Sequence, residues 1–580
     1  MERHHFTPFN TTTPGIGRAL LAWLVSLLGP AALAIDAGFQ TPPTVSPWLI
    51  VLQLIAPWCS VVITADLAWN RPPRLGAAGR WRRPVGMVVE IAVAVAASLW
   101  LLGVPQAPGL LAVLVSVFMA VGFSGLLARV MKHPSLLLPL SFVALITFST
   151  LLLKLPAATP EGEPIGWIDA LFTSTSAVCV TGLAVRSTAE GFTPFGQAVI
   201  LGAIQLGGLG FMIFGSTLAL LFGVRPSYKE SLTLSAALDE YPAHRILRFA
   251  WFIVGTTLAI EAAGAVVLYF LWPEPLTHGP GGRVWQAVFH SVSAFCNAGF
   301  DITGDSLVPV RYGLAPYLGI APLIILGGLG FLVLEDATQY IRRRLRPKKD
   351  RPPPRLSTHT RVVLATTATL LTLGFVAVFV AQSAAAGGPT PGIIADATFM
   401  SVTSRTAGFN ALPMDELSPG SRFTTLVLMA IGGSPGSTAG GIKTVAVAVL
   451  VLAVIATVRG RQDVEAFGRR LPDALVRKAA TVAAGFFGVV VLATLTLDLT
   501  ERIAFEPLLF EVVSAATTTG LSLGATGELS PVGRLVIVAT MFLGRLGALS
   551  LLGALIQGAG VAGEHAITRS HLPRDTVSLG

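Results

Sequence analysis

Charge is what this sequence has least of. Only 12% of its 580 residues are Asp, Glu, Lys or Arg, about half the ~25% of an ordinary soluble domain. Cysteine is nearly missing as well: Cys59, Cys179 and Cys296 are the three, too few for a disulfide framework. No histidine cluster accompanies them, so a zinc site lacks its ligands. The spans carry no clustered-carboxylate motif. Glu90, Glu261 and Glu335 lie in apolar runs, without the set of acids that holds a divalent ion and phosphates in membrane transferases. These absences exclude a soluble enzyme and argue against an enzyme of any kind.

What is abundant is apolar surface: 53% of residues are hydrophobic before the 60 glycines are counted. Charge-poor runs long enough to cross a bilayer recur from end to end, which defines an all-α polytopic membrane protein. Twelve spans are predicted, at 18–37, 47–67, 84–103, 108–128, 134–154, 194–222, 247–272, 313–337, 361–383, 421–456, 477–497 and 530–557. The first is read as a retained span rather than a cleaved signal peptide, because so many follow it. An even number puts both termini on one side. The basic loops at 71–83, 127–132, 226–248, 342–361 and 459–478 all fall on that side, which is therefore cytoplasmic. Chain topology thus accounts for the net charge of +9 without nucleic acid as a partner.

Within the last eight spans a unit repeats four times: a span, a short segment unable to cross, a glycine-centred stretch, and a second span. The short segments begin near Trp167, Val284, Ile393 and Phe505. They lead into Cys179-Val180-Thr181-Gly182-Leu183, Cys296-Asn297-Ala298-Gly299-Phe300, Arg405-Thr406-Ala407-Gly408-Phe409 and Thr517-Thr518-Thr519-Gly520-Leu521. The central glycines are 117, 109 and 112 residues apart. Six residues before the glycine stand Ser176, Ser293, Val402 and Ser514. A second signature follows each glycine by 24 to 28 residues: Gly207-Gly208-Leu209-Gly210, Gly327-Gly328-Leu329-Gly330, Gly432-Gly433-Ser434-Pro435-Gly436 and Gly544-Arg545-Leu546-Gly547. The chain divides accordingly into extra N-terminal spans over 1–133 and four units over 134–228, 229–342, 343–460 and 461–580.

A segment of about eleven residues cannot cross ~30 Å, so each short helix dips into the membrane and returns. Non-helical backbone at that depth is tolerated only where protein or water meets its polar groups. Four such loops can close into a pseudo-fourfold ring whose backbone carbonyls replace the hydration shell of a cation. Glycine suits an extended backbone alternating between ordinary and positive φ, and the C-terminal ends of the short helices favour positive charge. The candidate filter residues are Val180, Thr181, Gly182, Asn297, Ala298, Gly299, Thr406, Ala407, Gly408, Thr518, Thr519 and Gly520. Thr181 and Thr519 add a hydroxyl oxygen or brace the loop. Cys179 and Cys296 read as small packing residues, and Arg405 is placed behind its loop, bonding carbonyls or a carboxylate that hold the filter's shape.

The second span of the third unit is broken by its own composition. Gly432, Gly433, Ser434, Pro435, Gly436, Ser437, Thr438, Gly440 and Gly441 cannot sustain a helix, and an obstructing loop beneath the filter is expected. Arg545 stands where the first two units have Gly208 and Gly328, at a cost of roughly 2.5–3.5 kcal/mol on insertion scales. Loop carbonyls and hydroxyls can satisfy its donors, and the two together form the expected gate. Lys443 belongs to this gate or snorkels to the interface.

This ordered set resembles the Trk/Ktr/HKT superfamily of potassium transporters, closest to its Ktr-type membrane subunits (KtrB). The matching motifs are Cys179–Leu183, Cys296–Phe300, Arg405–Asn410, Thr518–Ser522, Gly432–Thr444 and Arg545, over about three quarters of the chain. The resemblance implies K⁺ held by filter carbonyls, with glycine at Gly182 favouring K⁺ over Na⁺. It also implies a homodimer in the cytoplasmic membrane, Na⁺ as an activator, and a cytoplasmic ring of RCK-type (KtrA- or TrkA-like) regulatory subunits that bind ATP, ADP or NAD(H). No cofactor is expected on this chain itself. An HKT-like sodium or mixed K⁺/Na⁺ pathway is the alternative. Arg342, Arg343, Arg344, Arg346, Lys348, Lys349 and Arg351 form a basic stretch facing either the regulator or anionic lipid. The four additional N-terminal spans depart from the family pattern, and Glu90 within them is read as a structural pairing rather than a site.

Overall fold

The computed structural model describes residues 137–221, 243–273, 279–345 and 355–547. The four N-terminal spans with Glu90 and Cys59 lie outside these residues, as do Arg346, Lys348, Lys349 and Arg351. The described elements follow one order four times over. The first set is α1 (Leu137–Leu153), α2 (Trp167–Val178) and α3 (Pro194–Leu221). The second is α4 (Ala243–Leu271), α5 (Gly279–Cys296), α6 (Ala321–Leu329, entered through a π-helical turn at Ala315–Ile320) and α7 (Phe331–Leu345). The third is α8 (Thr358–Ala385), α9 (Pro391–Thr403), α10 (Pro419–Ala430) and α11 (Thr444–Val458). The fourth is α12 (Asp473–Thr500), α13 (Phe505–Thr517), a single turn α14 (Ala525–Glu528) and α15 (Pro531–Leu546). Between α11 and α12 a small hairpin pairs β1 (Glu465–Ala466) with β2 (Arg469–Arg470).

Long helices carry the outer surface. Arg248–Leu271, Thr358–Ala385 and Asp473–Thr500 are each long and apolar enough to cross a bilayer alone. Their outward side chains are apolar: Leu499 is 86% and Phe270 74% exposed, an arrangement that only lipid makes favourable. The interior nevertheless holds many polar side chains. Thr173, Ser174, Thr175 and Ser176 on α2 are all buried, as are Ser291 and Ser293 on α5 and Ser514 and Thr517 on α13.

Helix ends follow local chemistry. Ser357, Thr390, Ser418 and Ser530 each accept a backbone N–H of the first turn they precede, satisfying a donor that the helix itself cannot. The short helices α2, α9 and α13 run 12, 13 and 13 residues. Helix α5 starts earlier than its apolar pattern predicts, at Gly279, and reaches 18 residues.

One predicted span is corrected. Residues 313–337 read as a continuous helix, but α6 and α7 meet at a 99° bend. Gly330, at φ +88°, is the pivot. Two carbonyls that would continue the helical ladder, those of Gly327 and Gly328, accept instead from Thr438 N at 3.3 Å and Ser434 N at 3.0 Å. Phe331 N donates to the Gly436 carbonyl at 2.9 Å. The helix breaks because the broken segment of the third set takes over its bonds. Among the described residues two spans are thus interrupted, where composition shows only one. The last predicted span, 530–557, is helical to Leu546 and turns at Gly547, φ +80°; its remainder lies outside the described residues.

Packing between helices uses the paired glycines. A Cβ at Gly207 would come within 3.0 Å of Val178 Cα and closer still to that residue's carbonyl, while one at Gly255 on α4 would meet nothing within 4 Å. Gly207→Ala is expected to lower stability by ~1–3 kcal/mol through overpacking. Gly255→Ala should leave it unchanged or raise it by up to ~1 kcal/mol through helix propensity. Thermal unfolding in detergent measures both, and a matching loss at Gly255 would show that close packing does not set the sign.

Candidate functional site

Four loops leave the C-terminal ends of α2, α5, α9 and α13 with one shared backbone pattern. Val180, Asn297, Thr406 and Thr518 are left-handed, at φ 58°, 59°, 66° and 50°. Two residues on, Gly182, Gly299, Gly408 and Gly520 take φ 92°, 70°, 82° and 96°. Four non-glycine residues in that region cost of order 1 kcal/mol each, so something must hold them. In three loops it is the serine six residues before the glycine. Its carbonyl accepts from Thr181 N, Ala298 N or Thr519 N at 2.7–2.8 Å. The hydroxyls of Ser176 and Ser514 accept from Gly182 N and Gly520 N at 3.0 Å, and that of Ser293 donates to the Phe300 carbonyl at 2.7 Å. The third loop has Val402 there; Thr403 serves instead, its carbonyl accepting from Ala407 N and its hydroxyl donating to the Phe409 carbonyl.

These loops meet in cyclic order. A Cβ on Gly182 would lie 3.1 Å from Gly299 Cα, one on Gly299 2.8 Å from Gly408 Cα, one on Gly408 3.3 Å from Gly520 Cα, and one on Gly520 3.1 Å from Gly182 Cα. Each of those positions also abuts the carbonyl that precedes the next glycine: Ala298, Ala407, Thr519 and Thr181 in turn. Four carbonyls therefore stand around one closed ring with one sense of rotation. The Thr519 hydroxyl is braced by Thr517 at 2.7 Å. Those of Thr181, Thr406 and Thr518 have no partner among the described residues.

A second layer packs against the loops' helix ends. Gly207, Gly327 and Gly544 approach the backbones of Val178, Phe295 and Ala516. Gly432 departs from this pattern. Its neighbours are the Gly440 carbonyl and then Gly441, within the non-helical segment that joins α10 to α11. That segment closes on itself through Gly433 N to the Gly440 carbonyl, Ile442 N to Ala430 and Thr444 N to Gly433, at 3.3, 3.1 and 3.0 Å. Gly440 rests on the backbone of Thr517, and Thr438 Oγ1 donates to the Phe295 carbonyl at 3.1 Å. Ser437 donates to the Ser434 carbonyl, and Lys443 Nζ to that of Ala439 at 2.6 Å, so Lys443 caps the segment rather than reaching away from it. Pro435 and Gly436 lie against Gly330.

Arg545 is 7% exposed and binds the Thr438 carbonyl and, at 3.2 Å, that of Gly207. One guanidinium thus bridges α15, the broken segment and α3. Arg405 is buried and bonds a backbone carbonyl, as its place behind the loop predicts. Its Nη2 donates to the Gly432 carbonyl at 3.3 Å, so the carbonyl it holds is at the entrance of the broken segment. Glu261, read from sequence as an isolated acid, accepts from Gln205 Nε2 at 3.0 Å and lies 3.8 Å from Cys296 Sγ. Turned so that its nitrogen faces acceptors, the Asn297 amide bonds the carbonyls of Ala294 and Ile324. The serine pattern was visible in the sequence; the partners of Glu261 and Asn297 had no local signal.

The fold and this interior define an all-α, multi-pass membrane protein of the transport class. Residues 127–557 match the TrkH family, described as a cation transport protein, and the chain belongs to that family, as a Trk/Ktr-type membrane subunit. It is similar to the potassium/sodium uptake protein NtpJ of Enterococcus hirae, 35% identical over 462 residues, covering 78% of this chain and 99% of the relative. The Ktr system potassium uptake protein B of Bacillus subtilis is likewise 35% identical, over 422 residues, 72% of this chain and 92% of its own. In fold, the crystal structure of the potassium transporter TrkH from Vibrio parahaemolyticus superposes with a TM-score of 0.57 at 20% identity, over 93% of this chain and 98% of that one.

Replacing Ser176 or Ser514 by alanine would strip a half-buried glycine N–H of its acceptor. A loss of ~1–3 kcal/mol is expected for each, read as a lowered unfolding temperature in detergent. Stability equal to the parent in both variants would show that the loops keep their shape without the hydroxyls.

Proposed function

We propose that this chain carries K⁺ across the cytoplasmic membrane through a pseudo-fourfold filter formed by its four loops, one from each of the units 134–228, 229–342, 343–460 and 461–580. The observation that carries the reading is the closed ring of glycines with matched backbone angles and one carbonyl abutting each. K⁺ sheds water on entering such a ring only if oxygens replace it. Carbonyls of Val180, Thr181, Gly182 and their counterparts in the other loops supply them without a formal charge that would trap the ion. Relatives named for potassium uptake support K⁺ as the cargo. The relative named for both potassium and sodium supports a mixed pathway as the second reading.

Beneath the ring, the segment from Gly432 to Lys443 and Arg545 act as the gate. Arg545 holds the segment by the Thr438 carbonyl, and a fixed positive charge there opposes a cation leaving the filter. Opening requires the guanidinium to release that carbonyl and the segment to withdraw from Thr517. Regulation is assigned by resemblance: a homodimer, docked on RCK-type subunits that bind ATP, ADP or NAD(H), with Na⁺ as activator. Of the basic stretch proposed to meet the regulator or anionic lipid, Arg342, Arg343 and Arg344 end α7 and are exposed.

Flux of K⁺, Rb⁺ and Na⁺ into liposomes holding the purified chain tests the reading. Gly182→Ser places a side chain at φ 92° against the neighbouring loop and should lower the K⁺/Na⁺ ratio roughly tenfold, about 1.4 kcal/mol of discrimination. A normal ratio in correctly inserted protein would remove Gly182 from the filter. Arg545→Ala should raise basal K⁺ flux several-fold without a regulator and blunt the nucleotide response. Stability should fall only modestly, since the Thr438 carbonyl loses a donor while a buried charge and its desolvation cost are removed. Flux at or below the parent level, with the response intact, would make this layer packing rather than gate.

A further inference from the structure

The ring has four seams, and the chain itself spans only three of them. Units one to two, two to three and three to four are joined by polypeptide; unit four meets unit one without a covalent link. Each seam also carries a polar contact at the loop-entrance end of the helices, from the approach to the second helix of one unit to the short helix of the next. Trp285 Nε1 donates to Gln197 Oε1 at 2.9 Å across the first seam. Arg311 grips Asp396 with Nε and Nη2, at 2.8 and 2.7 Å, across the second. Arg422 lies 3.8 Å from Glu506 across the third. Arg534 Nη1 donates to Asp169 Oδ1 at 2.5 Å across the fourth.

Local helix energetics do not explain Arg534. It sits in the first turn of α15, where the helix dipole disfavours a cation, whereas Asp169 sits in the first turn of α2, where an anion is favoured. A partner in the next unit accounts for the arginine. The closing seam is also held a second time from the same helix: Arg545, eleven residues or three turns on, about 16 Å away on the same face, reaches the Gly207 carbonyl of unit one. Between these two arginines Gly520 touches Gly182 and the Thr181 carbonyl.

We infer that Arg534 and Asp169 are positioning residues for ion selection, the clasp that closes the one seam the chain leaves open and so fixes the spacing of the Gly520 and Gly182 loops. This rests on the reading of the ring as a filter. Discrimination can shift by no more than the clasp contributes. For a half-buried pair that is at most about 1 kcal/mol, or about fivefold.

The test measures K⁺ and Na⁺ flux through the full chain in liposomes. Asp169→Asn and Arg534→Gln should each lower the K⁺/Na⁺ ratio two- to fivefold, and Arg534→Lys, which keeps a cation within reach, should restore most of it. Arg422→Gln, at the looser and more exposed third seam, should leave the ratio at the parent value. Should Asp169→Asn fail to insert, Arg534→Gln decides alone, since it leaves Asp169 at the helix terminus that favours it. Unchanged ratios in a selective parent, or a fall in total flux of both ions without a change in their ratio, would overturn the clasp and leave the filter reading standing. An equal fall in Arg422→Gln would also overturn it, by showing a general effect of surface charge. A parent that does not prefer K⁺ would sink the K⁺-selective filter reading and the clasp with it.

Discussion

Inside lipid, every backbone N–H and C=O must find a partner in the protein, and the rest of this structure follows from where that is hardest to achieve. Helices meet the requirement by themselves. Four loops and two helix breaks do not, and each is surrounded by groups that make up the difference. Serine hydroxyls and carbonyls hold the loop amides. The two interrupted spans answer one another, the elbow at Gly330 and the segment at Gly432–Lys443 exchanging three backbone bonds. Either break alone would leave buried polar groups unsatisfied, at several kcal/mol apiece.

The third unit differs from the other three in a consistent way. It lacks the serine at Val402, carries Arg405 where the others have Cys179, Cys296 or Thr517, and replaces the middle of its second helix with a long non-helical segment, where the second unit has only the bend at Gly330. The two arginines of this layer both end on carbonyls freed by that unwinding: Arg405 on Gly432 and Arg545 on Thr438. Charge in an apolar setting is tolerated because unwound backbone stands beside it, and unwound backbone is tolerated because charge does.

Much of this was legible in the residues. The four loops show as a glycine period too regular for packing alone, and the break at Gly432–Gly441 shows in a composition no helix tolerates. The elbow at Gly330 was not legible. Gly327-Gly328-Leu329-Gly330 is identical to Gly207-Gly208-Leu209-Gly210, yet α3 continues unbroken through the latter. What differs is the neighbour: only the second unit has the broken segment donating to its carbonyls. That Arg405 bonds a carbonyl was expected from its place behind the loop; which carbonyl was not legible, since the acceptor lies 27 residues on. The Arg534–Asp169 contact spans 365 residues and leaves no local trace.

One position in the second layer reads Gly208, Gly328, Gly433 and Arg545 around the four units. Four identical subunits arranged in a ring would have to carry the same residue at all four places. Four guanidinium groups at about 6 Å would then repel by ~3 kcal/mol per neighbouring pair even at an effective dielectric of 20. Fusing the units into one chain removes that obligation. Each quarter can diverge, and a single cation can stand where symmetry would permit none or four.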